Sequence, residues 1–181
     1  NSIKLLSYNI MSFGNMKKEN GQNPILNYIK NSNADIVCMQ EYAGSETAKI
    51  HLSNKEIRQA LKDYPYHNIK QVGKTGAGSQ LACYSKFPIL SARMLDYRSN
   101  YNGSMVYEIK IGKDTVLLIN NHLESNKLTR EDKVVYEDML KDPKAGKVKS
   151  GVRQLVNKLA EASAIRSAQA RTIAQEIAHS P

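Results

Sequence analysis

Four polar side chains of the kinds that bind metal ions and phosphate are predicted to stand at the ends of three buried, apolar strands. In chain order they are Asn9, Glu41, Asn120 and His122. Binding groups in layered α/β proteins gather at strand ends, so these side chains can meet in one place although they are far apart in sequence. Together they would form a small polar pocket for one metal ion and one anion.

The strand that organises this set precedes Glu41. The run Ile36–Met39 is apolar without a break and turns polar at Gln40, a pattern typical of a strand buried on both faces. Alternation along a strand places Val37, Met39 and Glu41 on one face, with the carboxylate at the rigid end of a central strand. The alternative is that Glu41 is a solvated residue at the start of a loop.

The other two strands deliver the remaining residues. The segment 3–10 is a short apolar strand that carries Asn9, and the segment 115–123 carries Asn120 and His122 on one face. Each residue also has a purely structural interpretation. Asn9 can satisfy a turn, and His122 can be a hydrogen-bonded histidine at a strand end.

The rest of the chain predicts a mixture of strands and helices. Further strands are predicted at 66–72, 81–85, 89–95 and 103–111, the last forming a hairpin with 115–123, and a turn at 73–78. Helices are predicted after Asn23-Pro24, after the capping residue Ser53, at 129–140 with Thr129 as its cap and Asp132 three residues later, and at about 152–178. The last has a narrow, alanine-rich apolar stripe, so we expect it on a surface of the sheet.

Length and composition indicate one globular domain. The chain has 181 residues, 41% of them hydrophobic and 24% charged, and no apolar run approaches the length of a membrane helix. Cys38 and Cys83 lie in apolar strands, so we expect two small buried residues and no disulfide framework. No signal peptide is recognised, but Asn1 can be a processing boundary, and the compartment stays open.

The net charge of +9 suggests an anionic partner, but the excess is unevenly distributed. Residues 141–181 contain eight Lys or Arg and three acidic residues, a contribution of +5. Most of this excess lies in one Gly- and Pro-containing stretch: Lys141, Lys144, Lys147, Lys149 and Arg153. We interpret the stretch as a solvated connecting loop, with a phosphate-tracking patch as the alternative.

Four motifs in this order resemble the endonuclease/exonuclease/phosphatase superfamily. They are Ser7–Ile10, Asp35–Glu41, Leu81–Ile89 and Asn120–Leu123. Arg171 also lies in the helix that follows the last motif in that group. The resemblance implies an α+β sandwich: a mostly antiparallel mixed β-sheet flanked by helices, half of a two-sheet, four-layer sandwich.

The resemblance also implies a hydrolase of phosphate esters that depends on Mg²⁺ or Mn²⁺. Glu41 would be the main metal ligand, with Asn9 beside it, and Mg²⁺ prefers such oxygen donors. His122 would donate a hydrogen bond to a phosphate oxygen in the transition state, and Asn120 and His122 would bind the substrate. Asn9, Glu41 and His122 would thus be the catalytic residues.

The sequence departs from the family pattern in its last part. Neither the Gly-Asp-Phe-Asn segment nor the Ser-Asp-His segment of the family occurs in it. Residues 1–181 are therefore expected to be the N-terminal part of a single catalytic domain, with the second sheet largely absent and the chain inactive alone. The inner apolar face of the first sheet would then be exposed and would need a partner. Three alternatives are open: the chain is a fragment, it covers the face by self-association, or another chain supplies the missing strands.

The fold does not choose the substrate. The basic surplus favours a nucleic acid, DNA or RNA, and hence an endonuclease-like phosphodiesterase. A lipid or inositol-phosphate phosphodiesterase or phosphatase is the alternative within the same class. A non-catalytic interaction module, binding through the exposed sheet face, is the alternative from a different class.

Overall fold

The computed structural model describes residues 2–14, 21–44, 52–72, 80–97, 99–141 and 146–180. The chain divides into two units, Asn1–His122 and Leu123–Pro181. The predicted turn at 73–78 and the basic residue Lys144 lie outside the described ranges. Within those ranges, no helix is both long enough and apolar enough to cross a membrane.

The first unit contains all of the strands that the structure describes. They are β1 (Leu5–Asn9), β2 (Ile36–Tyr42), β3 (Tyr66–Gln71), β4 (Gln80–Ser85), β5 (Ile89–Met94), β6 (Gly103–Ile111) and β7 (Asp114–His122). Its helices are α1 (Pro24–Asn31) and α2 (Asn54–Ala60), and a 3-10 turn spans Met11–Phe13. Every strand and helix predicted for this unit is present.

Both helices of the first unit begin where the sequence predicted. The side chain of Asn23 accepts hydrogen bonds from the amides of Ile25 and Leu26 at the start of α1. At α2, Ser53 and Glu56 form a complete capping box, each side chain bonding the other residue's backbone amide. These caps satisfy backbone donors that a helix leaves free at its first turn, so short helices are held in place.

The first sheet has the strand order β1-β2-β4-β3, with β1 parallel to β2 and the other pairs antiparallel. Its central strands β2 and β4 are buried, as predicted for the strand before Glu41. On one face, Val37 and Met39 pack with residues of α1 and α2 such as Ile29 and Ile57. By contrast β1 is an edge strand, with Leu5 51% exposed, so the prediction that it is buried was wrong.

A second sheet of order β5-β6-β7, entirely antiparallel, packs on the other face of the first. Its β6–β7 hairpin turns at Gly112, where φ is +61°. The predicted α+β sandwich with mostly antiparallel sheets is confirmed. The expectation that the second sheet would be largely absent was wrong, because the segments 89–95, 103–111 and 115–123 pair with one another.

The inner face of the first sheet is covered by this second sheet. The apolar side chains of the two sheets are buried in one shared core. The first sheet contributes Ile36, Cys38, Leu81 and Cys83, and the second contributes Met105, Tyr107 and Ile109. Burial of this kind is the main favourable term in folding. An exposed inner face is therefore no longer a reason to propose self-association or strands supplied by another chain.

A bulge in β2 changes where Glu41 points. Met39 pairs with Ala82 and Tyr42 with Gln80, so Gln40 and Glu41 together stand opposite Leu81. The backbone of Glu41 is left-handed, with φ of +51°, and Tyr42 takes the next position on the helix-covered face. The predicted alternation of Val37, Met39 and Glu41 on one face was therefore wrong at Glu41, because the bulge interrupts the pleat.

The two cysteines are directly opposite each other in neighbouring strands. Cys38 of β2 pairs with Cys83 of β4, and both are free and buried, as predicted. A hydrogen bond with Cys38, together with burial, raises the pKa of the Cys83 thiol.

We predict slow reaction of both thiols with a thiol reagent, because the thiolate is the reactive form and both groups are shielded from solvent. Ellman's reagent should react at least about 100-fold more slowly with the native protein than with the denatured protein, since reaction requires opening of the core. Stopped-flow absorbance measures both rates. Equal rates would contradict this account of the core.

The second unit contains α3 (Arg130–Lys141) and α4 (Gly146–Ala178). As predicted, α3 is capped: Thr129 Oγ1 accepts from the amide of Asp132, and Asp132 accepts from the amide of Thr129. Lys158 of α4 lies 2.7 Å from Asp132. The hydrogen bonds from Lys158 hold the pKa of Asp132 below its usual range, and the hydrogen bond from the amide of Thr129 is the second largest cause.

Helix α4 begins earlier than predicted. Lys147, Lys149 and Arg153 therefore lie on a helix rather than in a connecting loop, so that assignment was wrong for them. Helix propensity of the surrounding residues outweighs the single Gly151. The placement of α4 on a sheet surface stays a prediction.

Two residues of α4, which the sequence did not single out, form hydrogen bonds with the start of the second unit. The side chain of Gln169 accepts a hydrogen bond from the amide of Glu124 at 2.9 Å. Arg166 donates to the carbonyl of Glu124 and to the side chain of Asn126. Arg171, which was noted as part of the family resemblance, is exposed.

Candidate active site

Asn9 ends β1 and uses both ends of its side-chain amide. Its Nδ2 donates to Oε1 of Glu41 at 2.9 Å, and its Oδ1 accepts from the amide of Met11 at 3.1 Å. The second bond stabilises the start of the Met11–Phe13 turn, whose three residues have positive φ. Such backbone is sparsely populated in residues other than glycine and is concentrated at functional sites.

Glu41 occupies the bulge at the end of β2, with its side chain 36% exposed. Oε1 is shared: it accepts from Asn9 and lies 3.4 Å from Nε2 of His122. Oε2 has no hydrogen-bond partner among the residues that the structure describes. One carboxylate oxygen is thus held by the N–H of Asn9 and lies close to His122, and the other is left for a ligand.

His122 is the last residue of β7 and belongs to the second sheet. Its side chain is 19% exposed, and its Nε2 faces Glu41. Its Nδ1 is buried and has no hydrogen-bond partner within the described part of the chain. A buried ring nitrogen without a partner is uncommon in folded proteins and favours a functional role for the imidazole.

Asn120 lies two residues earlier in β7 and is only 2% exposed. Its Nδ2 donates to the carbonyls of Met39 and Ala82, and its Oδ1 accepts from Gln40 at 2.7 Å. Gln40 also reaches Ser7 of β1 at 3.2 Å. Asn120 therefore links the second sheet to β2 and β4 immediately below Glu41, and its predicted contact with substrate stays a prediction.

The structure brings the four predicted residues to one end of the two sheets. Asn9, Glu41 and His122 are in direct contact, and Asn120 supports them from below through Gln40. Sequence reasoning missed the supporting role of Gln40. Its signal was a polar residue at the end of an apolar strand, directly before the carboxylate.

The sequence matches the model of the Endonuclease/Exonuclease/phosphatase family over residues 6–176, nearly the whole chain. The chain belongs to the endonuclease/exonuclease/phosphatase family. Enzymes of this family are hydrolases and generally depend on a divalent metal ion.

Solved structures similar to this family member include an endonuclease/exonuclease/phosphatase from Beutenbergia cavernae DSM 12333, at 12% identity and a TM-score of 0.50 over 72% of the chain. TDP2 of D. rerio, complexed with a single strand DNA product, is 13% identical with a TM-score of 0.49 over 80% of the chain. Truncated TDP2 of Caenorhabditis elegans is 22% identical with a TM-score of 0.44 over 79% of the chain.

At these identities the likeness concerns the fold alone. The chain spans 41%, 55% and 58% of the length of these three proteins. No curated protein matches its sequence.

The donor set of this family member fits a hard divalent ion. No group of three or more His, Cys, Asp or Glu side chains able to hold a metal occurs in the described residues. The site instead offers the open oxygen of Glu41 and, beside it, the side-chain oxygen of Asn9, which has a second lone pair besides the one that accepts from Met11. Mg²⁺ is commonly bound by one or two carboxylates, with water and phosphate as its other ligands, so this sparse set suits Mg²⁺ or Mn²⁺ rather than zinc.

Proposed function

We propose that this chain carries the metal- and phosphate-binding part of a Mg²⁺- or Mn²⁺-dependent phosphodiesterase that acts on nucleic acid. One observation supports this most: the carboxylate of Glu41, with Oε2 open, lies between the amide of Asn9 and the imidazole of His122. A carboxylate oxygen that can bind a metal and an N–H donor that can bind a phosphate would therefore lie side by side. The net charge of +9 favours a polyanionic substrate.

The residues would divide the work as follows. Glu41 would hold the ion through Oε2, while Asn9 keeps Oε1 fixed and lies beside the ion. When bound, the ion supplies Lewis-acid polarisation of the phosphoryl group. His122 would donate from Nε2 to a non-bridging phosphate oxygen, where negative charge grows in the transition state.

We also propose that residues 1–181 form the N-terminal part of one catalytic domain. The segments that in this family activate water and hold the phosphate, Gly-Asp-Phe-Asn and Ser-Asp-His, do not occur in the sequence. Without a group to activate the attacking water, general base catalysis is lost. Such catalysis typically raises the rate about 100- to 10,000-fold.

We therefore predict that the 181-residue chain alone does not hydrolyse a chromogenic phosphodiester measurably in Mg²⁺ or Mn²⁺. Release of p-nitrophenolate from bis(p-nitrophenyl) phosphate, followed with and without EDTA, measures this. Hydrolysis that requires the metal ion and disappears in Glu41→Gln would contradict the proposed incompleteness while supporting the proposed site.

The nucleic-acid part of the proposal predicts salt-dependent binding. Labelled single- and double-stranded DNA should bind the chain, with affinity falling about tenfold or more between 50 and 200 mM salt as counterions are released. A gel-shift titration measures this. Binding to phosphoinositide vesicles but not to DNA would favour the lipid or inositol-phosphate alternative, and self-association without an effect of DNA or metal would favour an interaction module.

A further inference from the structure

A second polar cavity, of about 130 Å³, lies on the helix-covered face of the first sheet. Tyr42 of β2 and Tyr84 of β4 line it, together with Arg58 of α2 and His67 of β3. None of Asn9, Glu41 and His122 lines it, and none of its described lining residues is acidic. The cavity therefore differs from the candidate active site in both position and composition.

The two tyrosine hydroxyls provide a donor for which the described residues offer no acceptor. Tyr42 and Tyr84 are 2% and 1% exposed, and their hydroxyl oxygens lie 3.2 Å apart. One hydroxyl donates to the other, and neither has a further hydrogen-bond partner among the described residues. Burial raises the pKa of both groups, so both keep their protons, and one O–H has no acceptor among the described residues.

The lining of the cavity includes one positive charge, that of Arg58. Arg58 is exposed on α2 and makes no hydrogen bond or ion pair among the residues described, yet it is close enough to both tyrosines to favour their ionised forms. The ring of His67 stacks on that of Tyr84, with centroids 5.3 Å apart and planes 16° apart. A guanidinium, an imidazole and a phenol donor thus line one small space.

We propose that this cavity binds a small tetrahedral oxyanion, either inorganic phosphate or the terminal phosphate of a phosphomonoester. Its volume of about 130 Å³ is large enough to hold one phosphate group. The guanidinium of Arg58 offers paired N–H donors, which suit phosphate oxygens. The assignment goes beyond the proposed reaction and does not depend on it.

Isothermal titration of inorganic phosphate into the chain, in EDTA, tests the site without any contribution of a metal ion. Phosphate should bind, and Arg58→Gln should weaken it at least tenfold while leaving the fold intact, since Arg58 is exposed. Tyr42→Phe should weaken it severalfold. Phenyl phosphate in place of phosphate shows whether a phosphomonoester also enters.

Two variants serve as controls. Arg153→Gln removes an exposed arginine of α4 and should bind phosphate as the parent chain does. His122→Ala removes the imidazole of the candidate active site and so distinguishes phosphate bound there from phosphate bound in this cavity, which should remain. Absence of phosphate binding, equal affinity in Arg58→Gln, loss of binding in His122→Ala, or equal binding of acetate would each overturn the assignment.

Discussion

Substitution of Glu41 by glutamine should weaken the binding of Mg²⁺ or Mn²⁺ by at least about 100-fold, because loss of an outer partner of a metal ligand already costs 10- to 100-fold. Glutamine has the shape of glutamate and keeps an oxygen that can accept from Asn9. The bulge and its hydrogen bonds should therefore survive, and only the charged Oε2 is lost. Isothermal titration of the two ions into both proteins measures the effect.

Glu137→Gln provides the matched control, since Glu137 is an exposed glutamate on α3 and the substitution removes the same charge. It should bind the ion as the parent chain does. Equal affinity in Glu41→Gln and the parent chain would exclude Glu41 as the ligand. Absence of binding in every protein would mean that this chain does not form the site.

The types of the site residues could be predicted from local patterns. An apolar run that ends in Gln40-Glu41 and another that ends in Asn120-Asn-His122 already indicated polar groups at strand ends. The helix starts at Asn23, Ser53 and Thr129 were equally local, because a cap depends on residues within one turn of each other.

The bulge in β2 could not be predicted in the same way. It arises from the register between β2 and β4, whose partners are about 40 residues apart, for example Met39 and Ala82. An ideal pleat assigns Glu41 to the face of Met39, whereas the actual pairing gives that place to Tyr42. The position of the carboxylate is therefore a property of strand pairing rather than of its own segment.

The second sheet was underestimated for a similar reason. Each of β5, β6 and β7 was predicted as a strand, but assignment of a strand to one sheet or the other requires contacts between distant segments. Met105 and Tyr107 show the consequence, since they cover Cys38 and Cys83 of the first sheet. An inner face that looked exposed in the sequence is buried in the structure.

Asn120→Ala should lower the free energy of unfolding by about 3 kcal/mol, because three buried hydrogen-bonding groups lose their partner. Each such group costs about 1–3 kcal/mol if the surrounding structure does not relax. Those groups are the carbonyls of Met39 and Ala82 and the side chain of Gln40. The carbonyls lie where the bulge interrupts the ladder between β2 and β4, so they depend on a side-chain donor. Urea unfolding, followed by circular dichroism, measures the loss.

Asn121→Ala is the control for this effect, because Asn121 is the neighbouring residue of the same strand. Its side chain accepts only from Ser104 within the described residues, is partly exposed, and should cost about 1 kcal/mol or less. An equal loss in both variants would show that Asn120 does not support the bulge. If Asn120 supports the bulge, Asn120→Ala should also weaken binding of Mn²⁺ under conditions where the variant remains folded, since the same bulge positions Glu41.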